Sequence, residues 1–149
     1  MNLIRTTTDD PRYRALIREL DRFLAVTDGD DHAFYAQYNG SDSIPYALVG
    51  EADGVAVATG ALKPFDPTTL EVKRMYTAEA YRGRGIAVTM LHELEAWGRE
   101  LGYRRLVLET GKRQTSAIRL YEKYGFERMA ENYGQYAGVE NSVCMERSL

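Results

Sequence analysis

Cysteine occurs once in this sequence, at Cys144, and histidine twice, at His32 and His92. A single thiol excludes an internal disulfide and any cysteine-cluster metal site, and two isolated imidazoles supply no ligand set, so no metal is expected. Long apolar runs are missing too: there is no stretch of about eighteen apolar residues, and the start MNLIRTTTDD carries no apolar h-region. The expectation is a soluble, cytoplasmic protein with no membrane partner. Positive charge is not in excess either. With 19 Lys and Arg against 22 Asp and Glu, the net charge is -3, which gives no reason to expect nucleic acid as a partner. Any anion must be held by a local feature.

What is present suits one ordinary domain spanning residues 1–149, since 44% of the 149 residues are hydrophobic, enough for a single core. Asp9, Asp10 and Pro11 make a helix-opening signal. Tyr13, Leu16, Ile17, Leu20, Phe23 and Leu24 recur behind it at helical spacing, predicting a helix from Pro11 to about Val26. A short second helix is expected between Asp30 and Asn39. IPYALVGE and VAVATGALK flank an Ala52-Asp53-Gly54 turn and predict an antiparallel hairpin. Pro64 and Pro67 are expected to break the chain before the strand TLEVKRMYT. There, alternation would put Glu71, Lys73, Met75 and Thr77 on one face and Val72, Arg74 and Tyr76 on the other. A loop, a helix bearing Ile86, Met90, Leu91, Leu94, Trp97 and Leu101, and the strand RLVLET complete a βαβ unit with a right-handed crossover. A helix from Gln114 to Tyr124 and strands FERMA and SVCMER follow. The expected fold is α/β, a mixed and mostly antiparallel sheet of about six to seven strands with about four helices on both faces.

The stretch YRGRGIAVTM, Tyr81 to Met90, places two glycines and two arginines at a helix start. Unpaired N–H groups there lie at the positive end of the helix dipole, and glycine lets a phosphate approach them. It is not a Walker A loop, since no Gly-Lys followed by Ser or Thr occurs. It is not a dinucleotide fingerprint, since Gly83, Gly85 and Val88 stand where three glycines belong and only one βαβ unit is present. Arg82-Gly83-Arg84-Gly85-Ile86-Ala87 fits the pattern Q/R-x-x-G-x-G/A. With EVKRMYT before it, and LVLET and QTSAIRLYEKYGF after it, the chain resembles the GNAT superfamily of N-acetyltransferases. The likeness is specific from Glu71 to Phe126 and architectural before Tyr46.

The resemblance implies a GNAT fold with a splayed parallel pair of strands, acetyl-CoA as cosubstrate, and direct transfer of acetyl to an amine-bearing acceptor. It leaves open a homodimer. Such transfer needs a neutral amine, stabilisation of an oxyanion and a proton for the departing thiolate. By resemblance, Arg82, Gly83, Arg84, Gly85, Ile86 and Ala87 hold the pyrophosphate. Backbone groups of Met75, Tyr76 and Thr77 meet the pantetheine arm, and Gln114 stands where the family has an asparagine that contacts the cofactor. Tyr121 in LYEKYGF is the general acid, and Glu71, with Glu109 as rival, assists the base. Tyr35, Arg74 and Tyr136 are the candidates for touching the acceptor, with His32, Phe34 and Tyr38 in the same region as Tyr35. Cys144, between Val143 and Met145, reads as a packing residue. A non-catalytic acyl-CoA-binding module and a nucleotide-binding protein are the rival readings.

Overall fold

The computed structural model describes residues 1–27 and 44–149. The expected second helix, with His32, Phe34, Tyr35 and Tyr38, lies outside them. The described elements are strands β1 (Asn2–Thr6), β2 (Tyr46–Ala52), β3 (Val55–Asp66), β4 (Thr69–Thr77), β5 (Arg105–Gly111), β6 (Glu127–Arg128) and β7 (Ser142–Ser148), with helices α1 (Pro11–Thr27), α2 (Ile86–Glu100) and α3 (Thr115–Tyr124). The strands form one sheet in the order β1-β2-β3-β4-β5-β7-β6, antiparallel throughout except for the central pair β4 and β5. This is the mixed sheet the sequence predicts, with three α-helices among the described residues. FERMA supplies only the two residues of β6. No helix among the described residues is long and apolar enough to cross a membrane.

Local chemistry explains the boundaries. Asp10 caps α1: its Oδ1 accepts from the Arg12 N–H at 2.9 Å and its Oδ2 from the Thr6 hydroxyl at 3.0 Å, while Pro11 opens the helix where no donor is needed. Asp53 and Gly54, at φ 53 and 76, make the two-residue turn that matches the twist of the β2–β3 hairpin. Pro64 does not break the chain as expected. It lies inside β3, opposite Leu70. β2 pairs with β3 only as far as Leu62, so Pro64 lies where β3 has β4 as its one strand neighbour among the described residues.

Apolar side chains on α2, among them Met90, Leu91 and Leu94, bury against Leu48, Leu62 and Leu70 of the sheet, with Tyr121 and Phe126 in the same cluster. Each such residue fully buried contributes about 1.5–3 kcal/mol. α1 buries Tyr13, Ile17 and Leu20 with Ala47 and Val49 in a second cluster, and Tyr133 and Tyr136 from the chain before β7 bury with Val107 and Cys144 in a third.

The alternation expected along β4 fails at one residue. Arg74 has φ 57, and the register steps from Ala61↔Lys73 to Thr59↔Tyr76, so Arg74 and Met75 together oppose Gly60 in a bulge. Thr59 caps the irregularity by donating its hydroxyl to the Arg74 carbonyl at 2.9 Å. Beyond the bulge the faces exchange. Met75 packs with Val72 in the α2 cluster, where a Cβ on Gly60 would lie 3.0 Å from its sulfur. Arg74 instead reaches Asp21 of α1, and Tyr76 joins the α1 cluster. The bulge also turns β4 away from β5. Their parallel pairing covers only Thr69↔Arg105, Leu70↔Leu106 and Glu71↔Val107, while β5 stays paired with β7 along its whole length. The sheet therefore opens between β4 and β5 from Val72 onward.

Candidate active site

A cleft of about 670 Å³ lies at the opened end of the sheet, lined by Met75, Tyr76 and Thr77 of β4, by the loop before α2 and by the start of α3. Gly83 and Gly85 take φ 78 and 77, a conformation that side chains rarely adopt, and a Cβ on either would meet nothing within 4 Å. Gly85 is the N-cap of α2 and provides no side-chain cap. The first intrahelical bond of α2 runs from Thr89 N–H to Gly85 O at 3.1 Å, so the N–H groups of Ile86, Ala87 and Val88 precede the helical ladder. Open space over uncapped donors at a positive dipole end suits the pyrophosphate of a coenzyme. Arg82 is braced beside them: its Nε donates to Thr77 O at 2.9 Å, and its guanidinium lies over the rings of Tyr76 and Phe23. Arg84 turns elsewhere, over the Tyr81 ring at 4.9 Å, and does not line the cleft.

A second, smaller cavity of about 90 Å³ opens next to it, inside the splay, lined by Glu71, Lys73, Arg74, Glu109, Tyr136 and Tyr121 among others. The two share Leu20, Met75, Gln114 and Tyr121. Glu71 is buried, its Oε2 accepting from the Tyr133 hydroxyl at 2.7 Å and its Oε1 lying 3.8 Å from Lys73 Nζ. Burial lowers the pKa of Lys73. Glu109 is half-buried and accepts from the Ser142 hydroxyl at 2.7 Å. In register it stands two residues beyond Val107, the partner of Glu71, and so nearer the open end. Burial pushes up the phenol pKa of Tyr121, and likewise those of Tyr133 and Tyr136, keeping all three protonated at neutral pH. The Cys144 thiol, buried in β7, is pushed up to about 11 and fits packing rather than nucleophilic chemistry. Among the described residues no group of three or more His, Cys, Asp and Glu is arranged to hold a metal.

The structure thus brings Met75, Tyr76, Thr77, Arg82, Gly83, Gly85, Ile86, Ala87, Gln114 and Tyr121 to the cleft, and Glu71, Arg74, Glu109 and Tyr136 to the cavity. Tyr35 lies outside the described residues. The sequence assigns no role to Lys73, offers Tyr133 only as a pocket-lining residue beside Tyr136 and not as the partner of Glu71, and assigns none to Ser142. A lysine two residues from a glutamate inside a central strand was the visible sign of the first. The other two sit in an irregular segment and at a strand end, where spacing predicts no partner.

Uncapped helix-start donors in a cleft that joins a small charged cavity suit a protein that grips an acyl-coenzyme and presents its acyl end to a second substrate. The chain belongs to the acetyltransferase (GNAT) family, which it matches over residues 13–126. It is an acetyl-CoA-dependent N-acetyltransferase. It is 32% identical over 143 residues to the uncharacterized N-acetyltransferase YjgM of Escherichia coli K12, covering 95% of this chain and 79% of that protein. A Klebsiella pneumoniae structure described as an acyl-CoA N-acyltransferase superposes with TM-score 0.83 at 28% identity, covering 99% of this chain and 97% of the other. A GNAT acetyltransferase from Elizabethkingia anophelis, solved with acetyl-CoA bound, shares the fold with TM-score 0.70 at 20% identity, over 99% and 97% of the two chains.

Proposed function

We propose that the protein transfers the acetyl group of acetyl-CoA directly to a primary amine, of a small molecule or an exposed amino group, at the junction of the two cavities. The observation that carries this reading is that junction: the cleft with the glycine cradle and the cavity with the two carboxylates share Met75 and Tyr121. Bound in the cleft, acetyl-CoA would supply a thioester whose carbonyl carbon gains the bond to nitrogen as its bond to sulfur breaks.

The N–H groups from Gly83 to Ala87 hold the phosphates, and the β5-facing side of Met75, Tyr76 and Thr77, which no strand among the described residues covers, orients the acyl arm and meets the negative charge that develops on the carbonyl oxygen. Glu109 takes the ammonium proton through a water, because it is the more exposed carboxylate and the nearer to the open end. Glu71, already engaged by Tyr133 and Lys73, is the second candidate. Tyr121 gives its proton to the departing sulfur. A phenol at an ordinary pKa of about 10 is a weaker acid than a thiol at about 8.5, so it donates only as thiolate charge forms beside it. The second nitrogen proton, shed as the adduct collapses to the amide, returns through solvent to the Tyr121 phenolate, and Glu109 releases its proton to water.

The test is release of free CoA thiol, followed with a colorimetric thiol reagent across a panel of amines. Acceptor-dependent release with N-acetylated product found by mass spectrometry is expected. Saturable acetyl-CoA binding without release on any amine would favour the non-catalytic module instead.

A further inference from the structure

Arg74 is buried to a degree its visible partners do not explain. Its side chain is 2% exposed, and among the described residues its ion pair runs from Nη2 to Asp21 Oδ1 at 2.6 Å. Nε and Nη1 are buried with no hydrogen-bond partner among the described residues. An unmet buried donor is costly, more so on a charged group, and such a group in a native fold calls for a partner. The backbone adds to the cost, since Arg74 holds φ 57 in the bulge that places it there. Arg74 also helps to line the small cavity.

From this geometry we infer that the acceptor carries a carboxylate, received by Arg74, and is therefore a free amino acid rather than a simple amine or a polypeptide end. The inference rests on the transferase reading. Across the splay from Arg74, on β5, stands Glu109, so the cavity offers a cation on one strand and an anion on the other. A zwitterion matches that pair, with its ammonium group at Glu109 and its carboxylate at the guanidinium. Lys73 does not serve equally well: its single ammonium faces Glu71 at 3.8 Å, whereas Arg74 meets Asp21 through Nη2 and keeps Nε and Nη1 for a second anion. Arginine also suits the task by chemistry, as its planar donors match a carboxylate and it stays charged when buried. The cavity's small volume, about 90 Å³ opening into the donor cleft, favours a compact acceptor head.

The experiment compares kcat/KM for free amino acids, their C-terminal amides and the corresponding decarboxylated amines, in wild type and in Arg74→Gln. The amide mimics the end of a polypeptide. In the wild type at least one amino acid is expected to exceed its amide and its decarboxylated counterpart by about 10²-fold, as when a site built for a polar group meets an analogue lacking it. Arg74→Gln should bring that ratio to within about twofold while leaving acetyl-CoA affinity unchanged, and Arg74→Lys should restore part of it. Since Arg74→Gln also strips Asp21 of its partner, the wild-type ratios stand as a test that needs no variant. Amines and amides turned over as well as amino acids, or a preference that survives in folded Arg74→Gln, would overturn the inference and leave the transferase reading intact. No turnover of any amine by protein that binds acetyl-CoA would overturn both.

Discussion

The two sides of the reaction centre are built from different materials. The cleft, the donor side of the proposed reaction, is made mainly of backbone: two glycines at positive φ, the uncapped start of α2 and, among the described residues, one uncovered edge of β4. The acceptor cavity is made of side chains, with Glu71, Lys73, Arg74, Glu109 and Tyr136 drawn from three different segments. Backbone donors at a helix start serve any phosphate, so one short loop suffices and tolerates few alternatives. Side-chain cavities select by charge and shape, and any one position can change without unmaking the fold.

Altering each material separately should break the comparison in different ways. The largest effect is expected at Gly85→Asp. The new carboxylate would sit where the phosphates approach, and a like charge about 4 Å away at an effective dielectric near 20 costs roughly 4 kcal/mol, about 10³-fold in acetyl-CoA affinity by calorimetry. The Cβ itself meets nothing within 4 Å, so the added strain comes from φ 77 alone and the fold should persist by circular dichroism. Undiminished binding would show that the loop is not the anion site.

A change on the acceptor side should leave donor affinity alone. Glu109→Gln is expected to lower kcat by about 10²-fold at neutral pH with acetyl-CoA binding preserved, and to flatten the acidic limb of the pH–rate profile, since the base acts only when ionised. If Glu71→Gln does this and Glu109→Gln does not, the two carboxylates exchange roles.

The smallest effect lies away from both sites, at the cap of α1, the helix that bears Leu20 and Asp21. Asp10→Ala should destabilise the fold by about 1 kcal/mol at pH 7 in urea titration. The Arg12 side-chain hydrogen bond, foremost among the causes, holds the Asp10 carboxyl below its ordinary range. The stabilisation is therefore complete above about pH 4 and lost as pH falls below it. The gap between wild type and variant should narrow in acid, and a gap independent of pH would mean that the charge contributes nothing.

The same division governs what the sequence reveals. Gly83 and Gly85 are legible because a left-handed turn before a helix admits few other residues, and the Asp53-Gly54 turn is legible for the same reason. Pro64 misleads because a strand with one strand neighbour among the described residues tolerates proline, and neighbours are a tertiary property. The bulge at Arg74 misleads further: no local signal announces it, yet it exchanges the faces of β4 and carries Arg74 to the cavity. The pairing of Tyr133 with Glu71 joins residues 62 apart, and that of Ser142 with Glu109 joins residues 33 apart. Such contacts follow from the sheet order and leave no trace in spacing.

Tyr121 belongs to both regions, lining cleft and cavity alike, so the account turns on its phenol. The most direct measurement is kcat together with acetyl-CoA affinity for wild type and Tyr121→Phe on the same acceptor. The account predicts a kcat lower by about 10²-fold with the affinity within about twofold. Unchanged kcat in Tyr121→Phe would contradict it.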